Sequence, residues 1–287
     1  MSRKAKGIIF IIMAAFCFSA MNTFVKLSGD LPPIQKSFFR NAIAFWIALF
    51  ILIRTEEKFK FNAKNLPFLI SRSIFGTVGI ICNFYAVDHL LLSDASMLNK
   101  LSPFFAVLAS FFILKERVSF VQIISIIIAF IGSLFIIKPS FWAFSSSYPA
   151  LIGLLGGACA GISYTFVRYL GNRGEQGAFI VMFFSGFSCL SVLPFFIFDF
   201  HPMTPIQVFY LLMAGISASG GQFAITNAYF NAPAKEISIF DYTQVIFAAL
   251  LGLVLFAQYP DIYSVTGYVL ICGISIITFL RNKKLAS

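Results

Sequence analysis

Charge is scarce in this chain: Asp, Glu, Lys and Arg together make up 11% of its 287 residues, against roughly a quarter in an ordinary soluble domain. Too little polar surface exists to cover a water-facing globule. Histidine is rarer still, with only His89 and His201, and both fall in short turns between apolar runs. No H-E-x-x-H, G-x-S-x-G or paired-aspartate pattern occurs on a run, so the chain is expected not to be an enzyme; an intramembrane enzyme is the least favoured reading. No G-x-x-x-x-G-K-[ST] loop is present, which argues against ATP coupling within the chain. The five cysteines (Cys17, Cys82, Cys159, Cys189 and Cys272) are odd in number, sit within apolar runs and show no C-x-x-C spacing. Neither a disulfide framework nor a zinc site is supported, and no metal or cofactor is expected.

What the chain does have is hydrophobic length. Apolar residues make up 59%, and phenylalanine alone contributes 38. Ten segments read as membrane spans, at about 7–28, 34–53, 66–88, 91–114, 119–138, 148–170, 177–198, 205–230, 237–257 and 262–280, each close to the roughly 20 residues needed to cross a bilayer. The first follows Arg3, Lys4 and Lys6 but lacks a usual small-x-small cleavage site, and reads as a retained span rather than a signal peptide. With the N-terminus in the cytoplasm, fifteen basic residues fall inside (Arg3, Lys4, Lys6, Arg54, Lys58, Lys60, Lys64, Lys115, Arg117, Arg168, Arg173, Lys235, Arg281, Lys283, Lys284) and only Lys138 outside. That asymmetry predicts both termini in the cytoplasm of a multi-pass cell-membrane protein. It also accounts for the net charge of +10 without nucleic acid, because the charges are dispersed over short loops.

The sequence is written twice. Thr-Phe-Val-Lys-Leu-Ser-Gly at 23–29 returns as Thr-Phe-Val-Arg-Tyr-Leu-Gly at 165–171, a displacement of 142 positions. The same displacement pairs Phe45 with Phe187, Gly79 with Gly221, Ala86 with Ala228, Asp94 with Glu236, Ala106 with Ala248 and Leu108 with Leu250. Five spans per copy is an odd number, so the second copy enters the membrane from the opposite side. The expected fold is an all-α integral membrane protein of ten transmembrane helices arranged as two inverted five-helix repeats, residues 1–143 and 144–287. This is an architecture of alternating-access transporters.

Residues 90–116, LLLSDASMLNKLSPFFAVLASFFILKE, resemble the EamA family of the drug/metabolite transporter superfamily, with small residues, a mid-helix proline (Pro103) and a terminal acid (Glu116). The run FIGSLFIIKP at 130–139, the run DYTQVIFAALLGLVLF at 241–256, and Pro33 with Arg40 are also similar to that family. Gln258 departs from it, standing where the second copy usually carries an acid. The resemblance implies transport of small organic metabolites, commonly amino acids and related compounds, across the cytoplasmic membrane.

Ionisable groups within spans need a partner, a water-filled cavity or an escape to the interface. Lys100 lies roughly 13 Å into its segment at 1.5 Å per residue, too deep for easy snorkelling. It reads as a cavity cation for a carboxylate, or as the partner of Asp241. The 142-residue displacement sets Asn99–Lys100 opposite Asp241–Tyr242, so both copies place polar residues at matched positions. Asp241 reads as a binder of a substrate amine, a proton carrier, or the acid of a salt bridge with Lys100 or Arg72. Arg40 reads as a bidentate carboxylate ligand or a snorkelling side chain, and Arg72 chiefly as the latter. Asn83 and Tyr85, with Gln222 and Asn227 in the matched segment, complete the expected substrate-binding set. Pro103 is expected to kink its helix while its counterpart Val245 leaves the other straighter, and Gly79 and Gly221 are expected at hinge or packing positions.

The expected function is membrane transport of an amino acid or related zwitterionic or anionic solute, by alternating access of the two repeats. Three deep basic residues (Arg40, Arg72, Lys100) against one acid (Asp241) favour that ligand class. The runner-up is export or flipping of an amphiphilic, cationic or lipid-linked compound, for which Tyr85, Tyr164, Tyr229 and Tyr242 offer stacking surfaces. The expected partners are the small-molecule substrate and the lipid bilayer, with the chain a monomer or homodimer.

Overall fold

A computed structural model describes residues 3–55, 62–113, 120–137, 144–231 and 238–285. Glu116, Lys138, Trp142, Lys235 and the side chain of Tyr229 lie outside what is described. All regular structure among the described residues is helical. The helices are α1 (Arg3–Leu27), α2 (Pro33–Arg54), α3 (Leu66–His89), α4 (Leu92–Asn99), α5 (Ser102–Ile113), α6 (Phe120–Ile137), α7 (Phe144–Asn172), α8 (Gly177–Phe198), α9 (Pro205–Asn231), α10 (Thr243–Phe256) and α11 (Ile262–Leu285). Prolines open α2 at Pro33 and α3 at Pro67, positions where the missing N–H would have no intrahelical partner. At the far end of α10 Ala257 turns left-handed, at φ 50°. The Ala257 N–H then donates to Leu253 O and the Gln258 N–H to Gly252 O.

Among the described residues seven helical stretches are long and apolar enough to cross a membrane: Ala5–Leu27, Pro33–Arg54, Ala63–His89, Leu92–Ile113, Ser147–Asn172, Gly177–Phe198 and Pro205–Ile225. Shorter apolar helices at Ile123–Ile137, Phe240–Phe256 and Ile262–Thr278 occupy the remaining three segments read from the sequence.

The solvent preference of a soluble protein is inverted. Large apolar side chains such as Phe112, Val254, Phe198 and Trp46 stand on the outside, while Lys36, Arg40, Asn41, Arg72, Asn83, Lys100 and Gln244 are buried. Hydrocarbon is the natural surrounding for the first set, and only a polar interior suits the second.

The packing obeys the 142-residue displacement. That shift exchanges α1 with α7 and α3 with α9, and indeed α1 packs on α9 while α7 packs on α3. It exchanges α2 with α8 and α6 with α11, and each of these pairs packs on itself. It carries α4 and α5 onto the 3₁₀ turn Ser238–Tyr242 and α10; the former pack on α7 and the latter on α1. A two-fold relation follows, and each half finds its main packing partners in the other.

Small residues set the equivalent crossings. A Cβ at Gly79 would stand 3.3 Å from Ala160 N and Gly156 O, and one at Gly221 would stand 2.9 Å from the Phe18 ring. Since 79 matches 221 and 160 matches 18, these are the same crossing in each copy. Both glycines therefore serve close helix approach. Among the described residues α3 and α9 share no extensive interface, and each instead packs across the two-fold on a helix of the other copy.

Candidate functional site

The chain is broken at two equivalent places. α4 ends at Asn99 and α5 begins at Ser102, leaving Lys100 and Leu101 as the joint. In the second copy a 3₁₀ turn, Ser238–Tyr242, precedes α10, so the change of helix type falls at Tyr242–Thr243, the counterparts of Lys100–Leu101. Pro103 explains the first break, because it cannot supply the N–H that the Asn99 carbonyl would take in a continuous helix. Val245 was expected to leave the second helix straighter. It is interrupted nonetheless, with tightened 3₁₀ geometry substituting for proline.

The two breaks meet. Lys100 Nζ donates to Asp241 Oδ2 at 2.6 Å, with side-chain exposures of only 9% and 19%. Tyr242 Oη reaches the Lys100 carbonyl at 3.4 Å and accepts from Ser275 Oγ at 2.8 Å. Lys100 and Tyr242 are counterparts under the 142-residue shift, so the contact lies across the two-fold. Surrounding contacts repeat as well. Ser19 Oγ donates to Gln244 O at 2.8 Å, and the matching approach is that of Gly161 to Ser102 O. Thr23 Oγ1 bonds Ser19 O, and its counterpart Thr165 Oγ1 bonds Gly161 O.

The pair does not use all of Asp241. Its Oδ1 is buried and has no hydrogen-bond partner among the described residues. Tyr164 lies within electrostatic reach of Asp241, Arg72 and Arg40, yet 52% of its surface is open. Arg40 and Arg72 approach one aromatic ring, with their Cζ atoms 5.8 and 3.6 Å from the centroid of Phe184. Arg40 Nη1 donates to Asn41 Oδ1 at 2.6 Å, and Asn41 is held in turn by Ser188 Oγ at 2.8 Å. The expected snorkelling of Arg72 is corrected, because its side chain is buried in the bundle.

The other candidates are dispersed. Asn83 is buried and donates to Asn22 Oδ1 at 3.2 Å, joining α3 to α1. Asn99 is half-buried beside the lysine and its Cα lies under Gly157. Tyr85 stacks on His89 at 4.1 Å and meets Tyr148 edge-on, at the end of α3 away from Arg72. Gln222 is half-buried on α9, while Asn227 is exposed and bonds Phe223 O at 3.0 Å. Tyr85 and Asn227 therefore do not join the Lys100–Asp241 pair.

Sequence reasoning missed a second buried ion pair. Lys36, with no exposed surface, donates to Asp88 Oδ1 at 2.6 Å. Beside it Lys26 Nζ closes the C-terminus of α3 through Val87 O and Leu90 O, at 2.6 and 2.7 Å. In the sequence Lys26 and Lys36 sit near the ends of their apolar runs, and only the distant Asp88 could have flagged a partner. Gln258 is also explained: its Oε1 accepts from the Leu92 N–H at 2.9 Å, satisfying a free donor in the first turn of α4. A cleft of about 630 Å³ opens at this end, lined by Lys26, Asp88, Asp94, Gln258 and Asp261 among others.

The comparisons with known proteins run along the same lines. The sequence profile of the EamA-like transporter family matches twice, over residues 5–138 and 147–280, with both limits of the second match 142 positions beyond those of the first. The chain belongs to the EamA-like transporter family. Among its relatives is a pseudopaline exporter, CntI, of Pseudomonas aeruginosa (strain UCBPP-PA14), 31% identical over 280 residues that cover 97% of each chain. An uncharacterized transporter of Helicobacter pylori is 28% identical over 92% of this chain and 91% of its own. Solute carrier family 35 member G1 of Mus musculus is 23% identical over 97% of this chain and 80% of its own. A solved crystal structure superposes with a TM-score of 0.66 and 18% identity over 99% of both chains, a likeness of fold alone. This EamA-like chain is thus a membrane transporter.

Proposed function

We propose that the chain is a carrier of a small organic solute, amino-acid-like and either zwitterionic or anionic, working by alternating access of two inverted repeats. In this reading the three shorter apolar helices also span, giving ten spans, with both termini in the cytoplasm of the cell membrane. The units are residues 1–143 and 144–287. The protein performs no covalent chemistry, and acts as a monomer or homodimer with the bilayer and the solute as its partners.

The observation that carries the proposal is the Lys100–Asp241 pair at the meeting of two equivalent helix breaks. Interrupted helices near the two-fold are where such carriers bind their cargo, because unpaired backbone there can line a polar space. Lys100 offers a donor to a carboxylate once its bond to Asp241 opens, and the free Asp241 Oδ1 can accept from an ammonium group. Exchanging the internal ion pair for bonds to solute gives a two-state contact that cargo could bias. Export is the favoured direction, supported by the Pseudomonas aeruginosa relative, which is a pseudopaline exporter.

The test is flux from vesicles containing the purified protein, after a metabolite screen by thermal stabilisation. Lys100→Ala and Asp241→Asn should each abolish transport of the hit. Wild-type flux in both variants would sink the site assignment.

A further inference from the structure

Both buried arginines are short of partners. Arg72 is 7% and Arg40 9% exposed. The Nε and Nη1 of Arg72 and the Nε of Arg40 are buried without a hydrogen-bond acceptor among the described residues. Neither forms an ion pair with a described carboxylate. The two guanidiniums lie within electrostatic reach of each other, so like-charge repulsion adds to the cost of desolvation. Asp241 offers little relief, since one of its oxygens already holds Lys100.

The arrangement is nevertheless built. Gly76 makes room for the Arg72 head: a Cβ there would stand 2.6 Å from Nη1 and 2.8 Å from Phe184. Ser163 Oγ bonds the Arg72 carbonyl at 3.1 Å and so fixes its turn of α3 to α7. The Phe184 ring, 3.6 Å below the Arg72 guanidinium, holds it by cation–π attraction and leaves its edge N–H groups to look for an acceptor. Arg40 is oriented by Asn41, itself anchored to α8 through Ser188. Tyr164, half-exposed on α7, stands within electrostatic reach of both arginines. The shift by 142 positions puts Met182 opposite Arg40 and Ala214 opposite Arg72, so fold symmetry does not require this pair.

We propose that Arg40 and Arg72 form a carboxylate clamp in the interior of the bundle, floored by Phe184 and flanked by Tyr164. The guanidinium fork matches a planar carboxylate and donates two N–H bonds to it. Because the arginines come from α2 and α3 while Phe184 and Tyr164 come from α8 and α7, bound carboxylate would tie the two copies together. The clamp rests on the carrier reading for its purpose. It adds that the cargo presents a carboxylate to a place distinct from the Lys100–Asp241 pair. A solute with a second polar group would then be read at two points.

The experiment is thermal denaturation of the purified full-length protein with glutarate, succinate and L-glutamate as probes. Their amides, and chloride at matched ionic strength, serve as controls. Carboxylates should raise the midpoint and the controls should not, and Arg40→Gln and Arg72→Gln should each reduce the shift at least tenfold in half-saturating concentration. Arg54→Gln, which removes an exposed charge stacked on Phe50, should keep the wild-type response. A ligand-free readout accompanies it: Arg72→Met should leave the midpoint unchanged or raise it by about 2–4 °C, because an unpartnered buried charge is removed. Carboxylate stabilisation that survives both Arg→Gln changes, is matched by the amides or chloride, or does not occur in the wild type overturns the clamp, as does a fall in the midpoint of Arg72→Met. Vesicle flux separates this failure from that of the carrier reading. Clamp loss with flux retained refutes only the clamp, whereas carboxylate binding without flux refutes the carrier.

Discussion

Breaking the Lys100–Asp241 pair one side at a time should be far worse than removing it whole. At 2.6 Å and an effective dielectric near 20, the attraction between the two charges is about 6 kcal/mol. Much of that merely offsets the cost of taking both ions out of water. A single truncation leaves the other charge buried and uncompensated, and costs about 3–5 kcal/mol. For Lys100→Met the orphan is Asp241, 19% exposed, and for Asp241→Leu it is Lys100, 9% exposed; the second change should therefore be the more damaging. The double variant Lys100→Met with Asp241→Leu exchanges the pair for apolar side chains and should lie within about 1–2 kcal/mol of wild type. Unfolding midpoints of all four proteins in one detergent measure this directly, each kcal/mol being worth about 2–4 °C. The coupling between the sites should exceed about 2 kcal/mol. Transport should be absent from all three variants, so the double variant separates stability from function. Two single changes whose effects simply add would show that the side chains do not depend on each other, and the site would have to be redrawn.

Three further outcomes are expected. Ala257→Gly should stabilise the protein by about 1 kcal/mol, seen as a higher unfolding midpoint, because alanine is held at φ 50° where only glycine is free of Cβ strain. Lys36→Met should cost about 3–5 kcal/mol by taking from Asp88 its buried partner, and the double change Lys36→Met with Asp88→Leu should recover most of the lost midpoint. Single cysteines replacing Lys58 and Lys138 should label from opposite faces of sealed vesicles, since the charge asymmetry sets one inside and the other outside; labelling from one face at both would contradict ten spans.

The duplication was legible because a displacement of 142 needs no knowledge of contacts, and span parity follows from counting. Lys100 and Asp241 were legible as a candidate pair for the same reason, each being a costly residue deep in an apolar run. The dispersal of Tyr85 and Asn227 was not legible, because helix rotation decides whether a polar residue faces the bundle or its surroundings, and these helices carry apolar residues on nearly every face. Arg72 was misread on depth alone: proximity to a segment end suggested snorkelling, whereas Phe184 and the space left by Gly76 draw its head inward. The second helix break was invisible since Val245 carries no helix-breaking signal.

The exchange of partners across the two-fold also dictates how the molecule must be born. α1 leaves the ribosome well before its main partner, α9, which is completed some 200 residues later, and α3 likewise waits for α7. Until then Asn22, Arg72 and Asn83 have no finished bundle to enter, and a polar side chain facing lipid is costly. Neither copy expressed alone should reach a stable fold, while the two expressed as separate polypeptides in one membrane should reassemble. Long-range pairing of this kind folds slowly, so the first copy has to wait in the membrane for as long as the second takes to be made.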